Sequence, residues 1–373
     1  MRRPLLAAAI ALALPLTAVT PAKAAAPVFT VHMAPGAPAS NDGLTARTPV
    51  GTLTRVQEVL RQHRPSSDVE VRIKQGTYRS APMHDWRFYI PGHTISFMPA
   101  DYAQGAGLPP GGRPVFRNIS SHPNGFWLQP RLPRDSADPL HNGGDSGLRF
   151  YYLQIEEYAA GAISIFGDSE RDVSDESLNP PLRMRGSKGL NGNTLFGMVL
   201  RNLGNKHAPG AAYGYGAVVL TNSSGNRIEN NTFDHVENAA PDGGYIHGTY
   251  VTHFSSSNTV TRNKFVWISG DPIKVRNMSN YNAFEHNNFD RTGRFAHYKD
   301  EFCDLACARN NKIDRQCSSF HNRFFHNRLG TNYTGAAALP AWTLSPEGLT
   351  NAGGAPCAIP SGDVRLRTGS NTG

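Results

Sequence analysis

After its first twenty residues the sequence lacks any long apolar run, so we expect no membrane-spanning segment. It also lacks a compact Lys/Arg run with interleaved aromatic residues, which disfavours a nucleic-acid partner. Cysteine is scarce, with four residues confined to the last quarter, and no paired Cys-x-x-Cys motif occurs. We therefore expect a monomer that binds neither nucleic acid nor membrane.

The first segment has the features of a secretory signal peptide. Met1-Arg2-Arg3 supplies a positive start, Leu5 to Val19 an apolar stretch, and Ala22-Lys23-Ala24 a small-x-small cleavage site. A transmembrane anchor is the alternative, but the apolar stretch is short and contains Pro15. We predict that residues 1–24 are a signal peptide and that the protein is secreted.

The cysteines support this expectation. The four cysteines are Cys303, Cys307, Cys317 and Cys357. In an exported chain, an even number of cysteines predicts disulfides, here two bonds with three possible connectivities. A zinc site is the competing interpretation, because His297 and His321 lie close to Cys303 and Cys307 in sequence. Export into an oxidising compartment and the missing paired motif favour the disulfides.

The chain is basic, with a formal charge of +8. A net positive field favours acidic partners. Because nucleic acid is disfavoured, the partner class that remains is an anionic polysaccharide or an anionic cell surface.

An asparagine-rich phrase recurs in the second half of the chain. It has the form Asn-x-apolar-x-x-Asn-x-apolar and occurs from Asn226 to Phe233, Asn258 to Phe265, Asn282 to Phe289 and Asn322 to Leu329, with an imperfect copy from Asn193 to Leu200. Recurrence at such periods is typical of solenoids, and each copy is too sparsely apolar to form a helix. Because asparagine tolerates the left-handed backbone of tight turns, stacked copies predict a ladder of amides beside a column of phenylalanines. The pattern predicts a parallel β-helix.

The N-terminal region predicts a capped helix and a strand. Leu53, Val56, Val59 and Leu60 recur at helical spacing after Thr52, a suitable N-cap, and Val69–Ile73 alternates as a strand. Asp42-Gly43-Leu44-Thr45, this helix and the Gly76-Thr77-Tyr78 strand end resemble the start of the pectate lyase-like superfamily of right-handed parallel β-helix proteins. The resemblance implies an all-β, right-handed parallel β-helix with an N-terminal capping helix. We expect this domain to span residues 25–335, followed by an irregular tail, 336–373.

Three phrases beginning with glycine provide an alignment of successive coils. Taking Gly243, Gly270 and Gly293 as equivalent places Ile246, Ile273 and Ala296 inward. The same alignment places His247, Lys274 and His297 outward, and then Thr249, Arg276 and Lys299 outward two positions on. Stacked cations repel each other, so such a face predicts an anionic ligand.

These residue types suit β-elimination on a uronate polymer. The reaction needs a cation at the carboxylate, a base for the C5 proton and an acid for the leaving oxygen. The predicted catalytic residues are Lys274, Arg276, His247 and His297, and the predicted substrate-binding residues are Lys299, Tyr245 and Arg294. Distant similarity to chondroitinase B and alginate lyase-type enzymes implies a Lys base at Lys274 and an acid at Lys299, where those enzymes have Arg. It also raises the possibility of a calcium cofactor, although no acidic cluster matching such a site is present.

Other functions on the same fold stay open. A glycoside hydrolase needs grouped carboxylates, which Asp242, Asp271, Asp300 and Glu301 would supply. A uronate epimerase would use nearly the same residues as a lyase. A non-catalytic carbohydrate-binding β-helix would use exposed aromatic residues, for which Tyr245, Tyr250 and Tyr298 are the candidates.

Overall fold

The computed structural model describes residues 27–119, 124–168, 174–175, 182–183, 188–345 and 364–373. The predicted signal peptide and Cys357 lie outside these ranges. In the part that is described, no helix is long and apolar enough to cross a bilayer.

The described chain is mostly β-structure. Strands β1 to β11 are Phe29–Met33, Val69–Ile73, Thr77–Arg79, Met83–Trp86, Ile95–Pro99, Val115–Arg117, Phe126–Pro130, Gly144–Asp145, Leu148–Tyr151, Gln154–Glu156 and Gly161–Phe166. Strands β12 to β20 are Ser174–Asp175, Leu182–Arg183, Leu190–Asn191, Thr194–Phe196, Val199–Leu203, Gly216–Thr221, Arg227–Glu229, Thr232–Val236 and His247–Thr252. Strands β21 to β29 are Thr259–Thr261, Lys264–Ile268, Ile273–Val275, Ala283–Glu285, Asn288–Thr292, Tyr298–Asp300, Asn322–Phe325, Trp342–Leu344 and Leu366–Gly369. Helices α1 and α2 are Leu53–His63 and Leu305–Asn311, and two 3₁₀ helices cover Pro139–Asn142 and Asp242–Tyr245.

Three long parallel sheets contain nearly all the strands. The first has the order β1-β2-β5-β9-β15-β18-β21-β24-β27-β29, the second β25-β22-β19-β16-β10-β6-β3, and the third β28-β26-β23-β20-β17-β11-β7-β4. From β2 to β26 the chain visits the first, second and third sheets repeatedly in that order. Each turn therefore pairs with the turn before it, which confirms the predicted mainly β, parallel architecture.

The recurring asparagines form two buried ladders. In the first, the side-chain Nδ2 of each asparagine donates to Oδ1 of the next at 2.7–3.1 Å, through Asn193, Asn226, Asn258, Asn282 and Asn322. In the second, the same bond at 3.0–3.2 Å joins Asn231, Asn263, Asn287, Asn327 and Asn371. The amides satisfy one another where water is excluded, so the prediction of a ladder is confirmed.

The left-handed turn conformation, however, falls on neighbouring residues. The residue before each asparagine of the second ladder has positive φ: these residues are Asn230, Arg262, His286, His326 and Ser370. Gly197 has the same conformation before Met198, where the ladder is missing its asparagine. The ladder asparagines themselves are selected for their side-chain hydrogen bonds. The idea that they supply the left-handed conformation is wrong.

A column of phenylalanines packs inside the turns. Phe233, Phe265 and Phe289 are fully buried and stack with ring centroids 4.5 Å and 5.0 Å apart. They pair directly across β19, β22 and β25. Because they are the last apolar residues of the repeated phrase, the repeat encodes both the ladder and the column.

Helix α1 lies at the N-terminal end of the stack. The Thr52 side chain accepts a hydrogen bond from the Arg55 backbone N–H at 3.1 Å, so the predicted N-cap is confirmed. Val56, Val59 and Leu60 are buried against the first turns. The helix thereby covers apolar surface that the first turn leaves without a preceding neighbour.

The end of the chain is more regular than expected. Strands β28 and β29 both lie within residues 336–373, where we predicted an irregular tail. Asn371 explains part of this difference, because it extends the second ladder by accepting from Asn327. A single asparagine, separated from the other copies by an unpatterned stretch, does not stand out as a repeat in the sequence.

The predicted disulfides are confirmed for three of the four cysteines. Cys303 and Cys307 are bonded to each other across the start of α2, and Cys317 is also in a disulfide.

Replacing Asn258 with alanine should lower the free energy of unfolding by about 1–3 kcal/mol, because the change leaves buried partners without hydrogen bonds. Its Oδ1 accepts from Asn226, and its Nδ2 donates to Asn282 and to the Ser223 carbonyl. Urea unfolding would measure the loss, with Asn310→Ala on the exposed side of α2 as the control. Equal midpoints for the two variants would contradict a stabilising ladder.

Candidate functional site on the third sheet

The cationic residues meet on the third sheet in a different register from the predicted one. Lys274 on β23 lies opposite Tyr250 on β20 and opposite Lys299 on β26. The predicted row of His247, Lys274 and His297 is therefore wrong. So is the row of Thr249, Arg276 and Lys299, because Thr249 pairs with Ile273.

The error has a physical origin in the turns that lead into the third sheet. These turns cover residues 237–246 before β20, 269–272 before β23 and 293–297 before β26, so their lengths differ. Glycines within turns of different length do not stack. Counting back from the ladder asparagines would have found one pair correctly, since Tyr250 and Lys274 lie equally far before Asn258 and Asn282.

Two lysines share one carboxylate in this row. The Lys299 ammonium lies 2.8 Å from Glu301 Oε2, and the Lys274 ammonium contacts the same oxygen. Burial alone would raise the pKa of Glu301, but the two lysines hold it at about 2. Burial lowers the pKa of Lys274, and the charge of Glu301 opposes that effect. The cluster keeps a net positive charge, because one carboxylate faces two ammonium groups.

His247 lies beside this cluster and is held neutral. Burial and then the charge of Lys274 lower its pKa to about 4. Its Nδ1 lies 2.7 Å from the Asp271 carbonyl oxygen, and because a carbonyl only accepts, Nδ1 carries the proton. Nε2 then bears a lone pair and makes no hydrogen bond to the described residues. Its ring lies 5.5 Å from that of Tyr250.

His297 does not belong to the site. It is fully buried, with its ring 5.4 Å from the core Phe289 and Nδ1 3.3 Å from Thr292 Oγ1. Tyr298, a predicted exposed aromatic residue, is also fully buried. The glycine alignment assigned His297 to the outer surface because it placed the neighbouring Ala296 in the core row.

Arg276 extends the basic face on the same strand end. Its Nε donates to Gln316 Oε1 at 2.6 Å, which anchors the guanidinium to the segment after α2. Its charge also reaches Tyr215, whose pKa is raised to about 12 by the hydrogen bond with Tyr213 and by burial. Arg276 and Tyr215 therefore border the same surface as Lys274.

Exposed aromatic residues line the side of this face where the strands begin. They precede three strands of the third sheet: Tyr213 and Tyr215 before β17, Tyr245 before β20 and Phe295 before β26. Tyr213 stacks on Tyr245 with centroids 5.3 Å apart, and the Lys299 ammonium lies 4.1 Å from the centre of the Phe295 ring. Arg294, also exposed, lies against Phe295. Of the predicted contact residues, Arg294 thus shares the Phe295 ring with Lys299, and Tyr245 belongs to the group of exposed aromatic residues.

Of the four carboxylates proposed for hydrolysis, Glu301 lies between the two lysines, and Asp271 and Asp300 have structural partners. Asp271 Oδ1 accepts from the backbone N–H groups of residues 294, 295 and 296 at 2.7–3.1 Å, so this carboxylate fixes the turn before β26. Asp300 is buried in an ion pair with Arg365 at 2.7 Å. Asp242 lies in the short 3₁₀ helix before β20.

Among the described residues, no group of three or more histidine, cysteine, aspartate or glutamate side chains is arranged to hold a metal ion. Calcium, which the resemblance made conceivable, therefore has no ligand set that can be named in those ranges.

Two buried histidines predict how stability depends on pH. The pKa of His247 and that of His297 are each lowered to about 4, chiefly by burial, from an ordinary value near 6.5. The unfolded chain therefore takes up protons first as the pH falls. We expect stability to decline progressively from about pH 6.5 towards pH 4. Thermal unfolding across this range should show a smaller decline in His297→Gln than in the parent, provided that the variant folds.

No protein-family model matches the sequence. No curated protein matches it either. Solved structures with some similarity include a rhamnogalacturonan lyase, with 13% identity and a TM-score of 0.38, covering 92% of this chain and 87% of that one. A GH136 lacto-N-biosidase from Eubacterium ramulus has 10% identity and a TM-score of 0.31, and the match covers 92% of this chain and 67% of that one. A DFA-IIIase from Arthrobacter chlorophenolicus A6 has 14% identity, a TM-score of 0.30 and coverage of 75% and 61%. A TM-score below 0.5 does not establish a shared fold, so the chemistry of the site has to be judged from its own residues.

Proposed function

We propose that the protein is a polysaccharide lyase that cleaves a uronate-containing polymer by β-elimination. The observation that carries the proposal is a neutral histidine beside two lysines on adjacent strands of one sheet, with exposed aromatic rings along the strand starts. Lysines at Lys274 and Lys299 supply charge for a carboxylate, His247 supplies a base, and the aromatic rings supply stacking surfaces for sugar rings.

The cations act first in this mechanism. A uronate carboxylate binds to the Lys274 and Lys299 ammonium groups, each of which uses only one of its N–H bonds on Glu301. Neutralising the carboxylate makes the C5 proton more acidic, and the charge that develops in the transition state is stabilised where it forms. Arg276 adds positive charge at the same face.

Proton transfer then uses two neighbouring side chains. The Nε2 lone pair of His247 takes the C5 proton, and the electrons of the C5–H bond form the C4–C5 double bond. The C4–O4 bond breaks, and the leaving oxygen takes a proton from the Tyr250 hydroxyl, which lies on the strand next to Lys274. The ion pairing agrees with this division, because Lys274 is engaged with Glu301 whereas the Nε2 lone pair of His247 makes no hydrogen bond to the described residues.

A hydrolase is less compatible with the same residues. Retaining and inverting glycosidases need a carboxylic acid that keeps its proton near neutral pH. Glu301, the carboxylate at the centre of the described site, has a pKa of about 2 and is therefore ionised. An epimerase would return the C5 proton instead of breaking the C4–O4 bond, and it differs from a lyase in its product.

Ultraviolet absorbance during incubation with a panel of uronate polymers tests the proposal. Elimination leaves a C4–C5 double bond conjugated to the carboxylate, so absorbance should rise with at least one polymer. Reducing-end release without this absorbance would show a hydrolase. Exchange of the C5 hydrogen with solvent deuterium, again without absorbance, would show an epimerase.

The finer architecture belongs to the same proposal. We infer that the three sheets are the faces of one right-handed parallel β-helix, because crossovers between parallel strands are nearly always right-handed. A secreted monomer with a polysaccharide partner is consistent with disulfides at residues 303, 307 and 317. Mass spectrometry and light scattering of the exported protein would test cleavage near residue 24 and the monomeric state.

A further inference from the structure

A second concave surface adjoins the site. This surface, the corner pocket, has a volume of about 700 Å³. Its lining consists of Lys206, Asn238, Ala239, Ala240, Pro241, Gly243, Gly244, Ser269, Gly293, Arg294, Asn332, Tyr333 and Thr334. Most of these residues lie in the turns between the second and the third sheet.

The corner pocket lies to the side of the lysine cluster and not along the stack. Its residues 238–241, 243–244, 269 and 293–294 lie in the turns before β20, β23 and β26, the three strands that carry Tyr250, Lys274 and Lys299. A polymer running from strand to strand along the third sheet would therefore pass the pocket at its flank. Arg294 lines the pocket, whereas the next residue, Phe295, contacts Lys299.

The walls of the corner pocket are fixed by a buried carboxylate. Glu237 is 1% exposed and accepts hydrogen bonds from Lys206 at 2.6 Å, from His207 at 2.7 Å and from the Tyr333 hydroxyl. Burial alone would raise its pKa, but these donors hold it at about 2. The ionised Glu237 thereby holds Lys206 and Tyr333 in place at the pocket wall.

The remaining surface of the pocket has small side chains and many hydrogen-bond donors. No aspartate or glutamate appears among the lining residues, and Arg294 has no carboxylate partner among the described residues. Alanine and glycine at residues 239, 240, 243 and 244 let a ring approach the backbone closely. Such a surface suits a single ring that carries many oxygen acceptors, which is the chemistry of a sugar.

We propose that the corner pocket is a subsite for a sugar-ring branch on the polysaccharide whose backbone occupies the third sheet. The proposal deepens the lyase function and rests on it for the position of the backbone. Branched polymers should therefore bind better than the corresponding linear ones. Arg294 contacts the branch where the corner pocket meets the face of the third sheet that binds the polysaccharide backbone.

A blocking substitution can test this on the full chain. Ala239 is exposed at the pocket rim, so Ala239→Trp should fill the pocket without touching Lys274 or His247. Ala337→Trp is the matched control, because Ala337 is equally exposed but does not line the pocket. The probes are an array of linear and singly branched plant and bacterial polysaccharides, read by binding and, separately, by ultraviolet absorbance.

Ala239→Trp should weaken binding of branched polymers by roughly tenfold, about 1.4 kcal/mol, and leave linear ones unchanged. Ala337→Trp should change neither. The proposal is overturned if the parent protein binds no branched polymer better than its linear counterpart, or if Ala239→Trp affects both classes equally. Selective loss of branched binding without any absorbance change would retain the subsite and reject the lyase. Absorbance with linear polymers but no preference for branched ones would retain the lyase and reject the subsite.

Discussion

His247→Ala should reduce turnover of a uronate polymer by roughly 10²–10⁴-fold, the usual contribution of a general base. The loss should appear in kcat, because binding of the carboxylate depends on Lys274 and Lys299. His84→Ala is the control: this histidine is exposed on β4, at the other end of the same sheet. Initial rates of ultraviolet absorbance would measure both variants. Activity of His247→Ala within tenfold of the parent would remove His247 from the base role and make Lys274 the next candidate.

The pH profile separates these two candidates. If His247 is the base, kcat/KM should rise through a pKa of about 4 and be level by pH 7. Burial lowers the pKa of His247 most, and the charge of Lys274 lowers it further. Lys274→Met should therefore move the acid limb of the residual activity to higher pH. If the acid limb of the kcat/KM profile stays at the same pH in Lys274→Met, a group other than His247 controls that limb.

Arg365→Leu should lower the free energy of unfolding by about 3–5 kcal/mol, because it leaves the Asp300 carboxylate buried without its ionic partner. Both side chains of the pair are almost completely buried, and Arg365 also donates to the Ser345 carbonyl. Arg367→Leu is the control, since Arg367 is exposed two residues further along, on β29. Urea midpoints at constant m-value would report the difference.

The same pair allows a check on the cause. Burial raises the pKa of Asp300, and without Arg365 that pKa should rise further. A carboxyl group whose pKa is raised in the folded state stays protonated there without cost at a pH below its ordinary pKa. As the pH rises above that value, the unfolded chain ionises first, and the free energy of unfolding falls. The deficit of Arg365→Leu should therefore be larger at pH 7 than at pH 4, and adding Asp300→Asn should recover part of it. A deficit independent of pH would point to lost packing instead.

The sequence predicted the mainly β, parallel architecture because its characteristic phrase repeats. Each turn needs an amide at the same two corners and an aromatic ring inside, so Asn258 and Phe265 recur with their neighbours at recognisable intervals. The capping helix was predictable for a local reason, the spacing of Val56 and Leu60 after Thr52. The buried ion pair of Arg365 was not predictable, because its partner Asp300 is distant in sequence and nothing local indicates that either side chain is buried.

The residue types of the candidate site were predicted, apart from His297, but their register was not. Lys274, Lys299, His247 and Arg276 do meet on one sheet, since all precede the same kind of repeat. Their rows were wrong because the turns before β20, β23 and β26 differ in length. Glu301 was predicted as a carboxylate for hydrolysis and Tyr250 as an exposed ring, although Glu301 contacts both lysines and Tyr250 lies opposite Lys274.

The amide ladders also bear on how such a protein can diversify. Successive first-ladder asparagines are separated by 33, 32, 24 and 40 residues, yet each accepts from its predecessor with the same geometry. The extra residues are accommodated in the turns and in the segment around α2. Insertions and deletions there change the groove and the corner pocket while the stacked interior keeps its register. Substrate preference can thus evolve separately from stability, turn by turn.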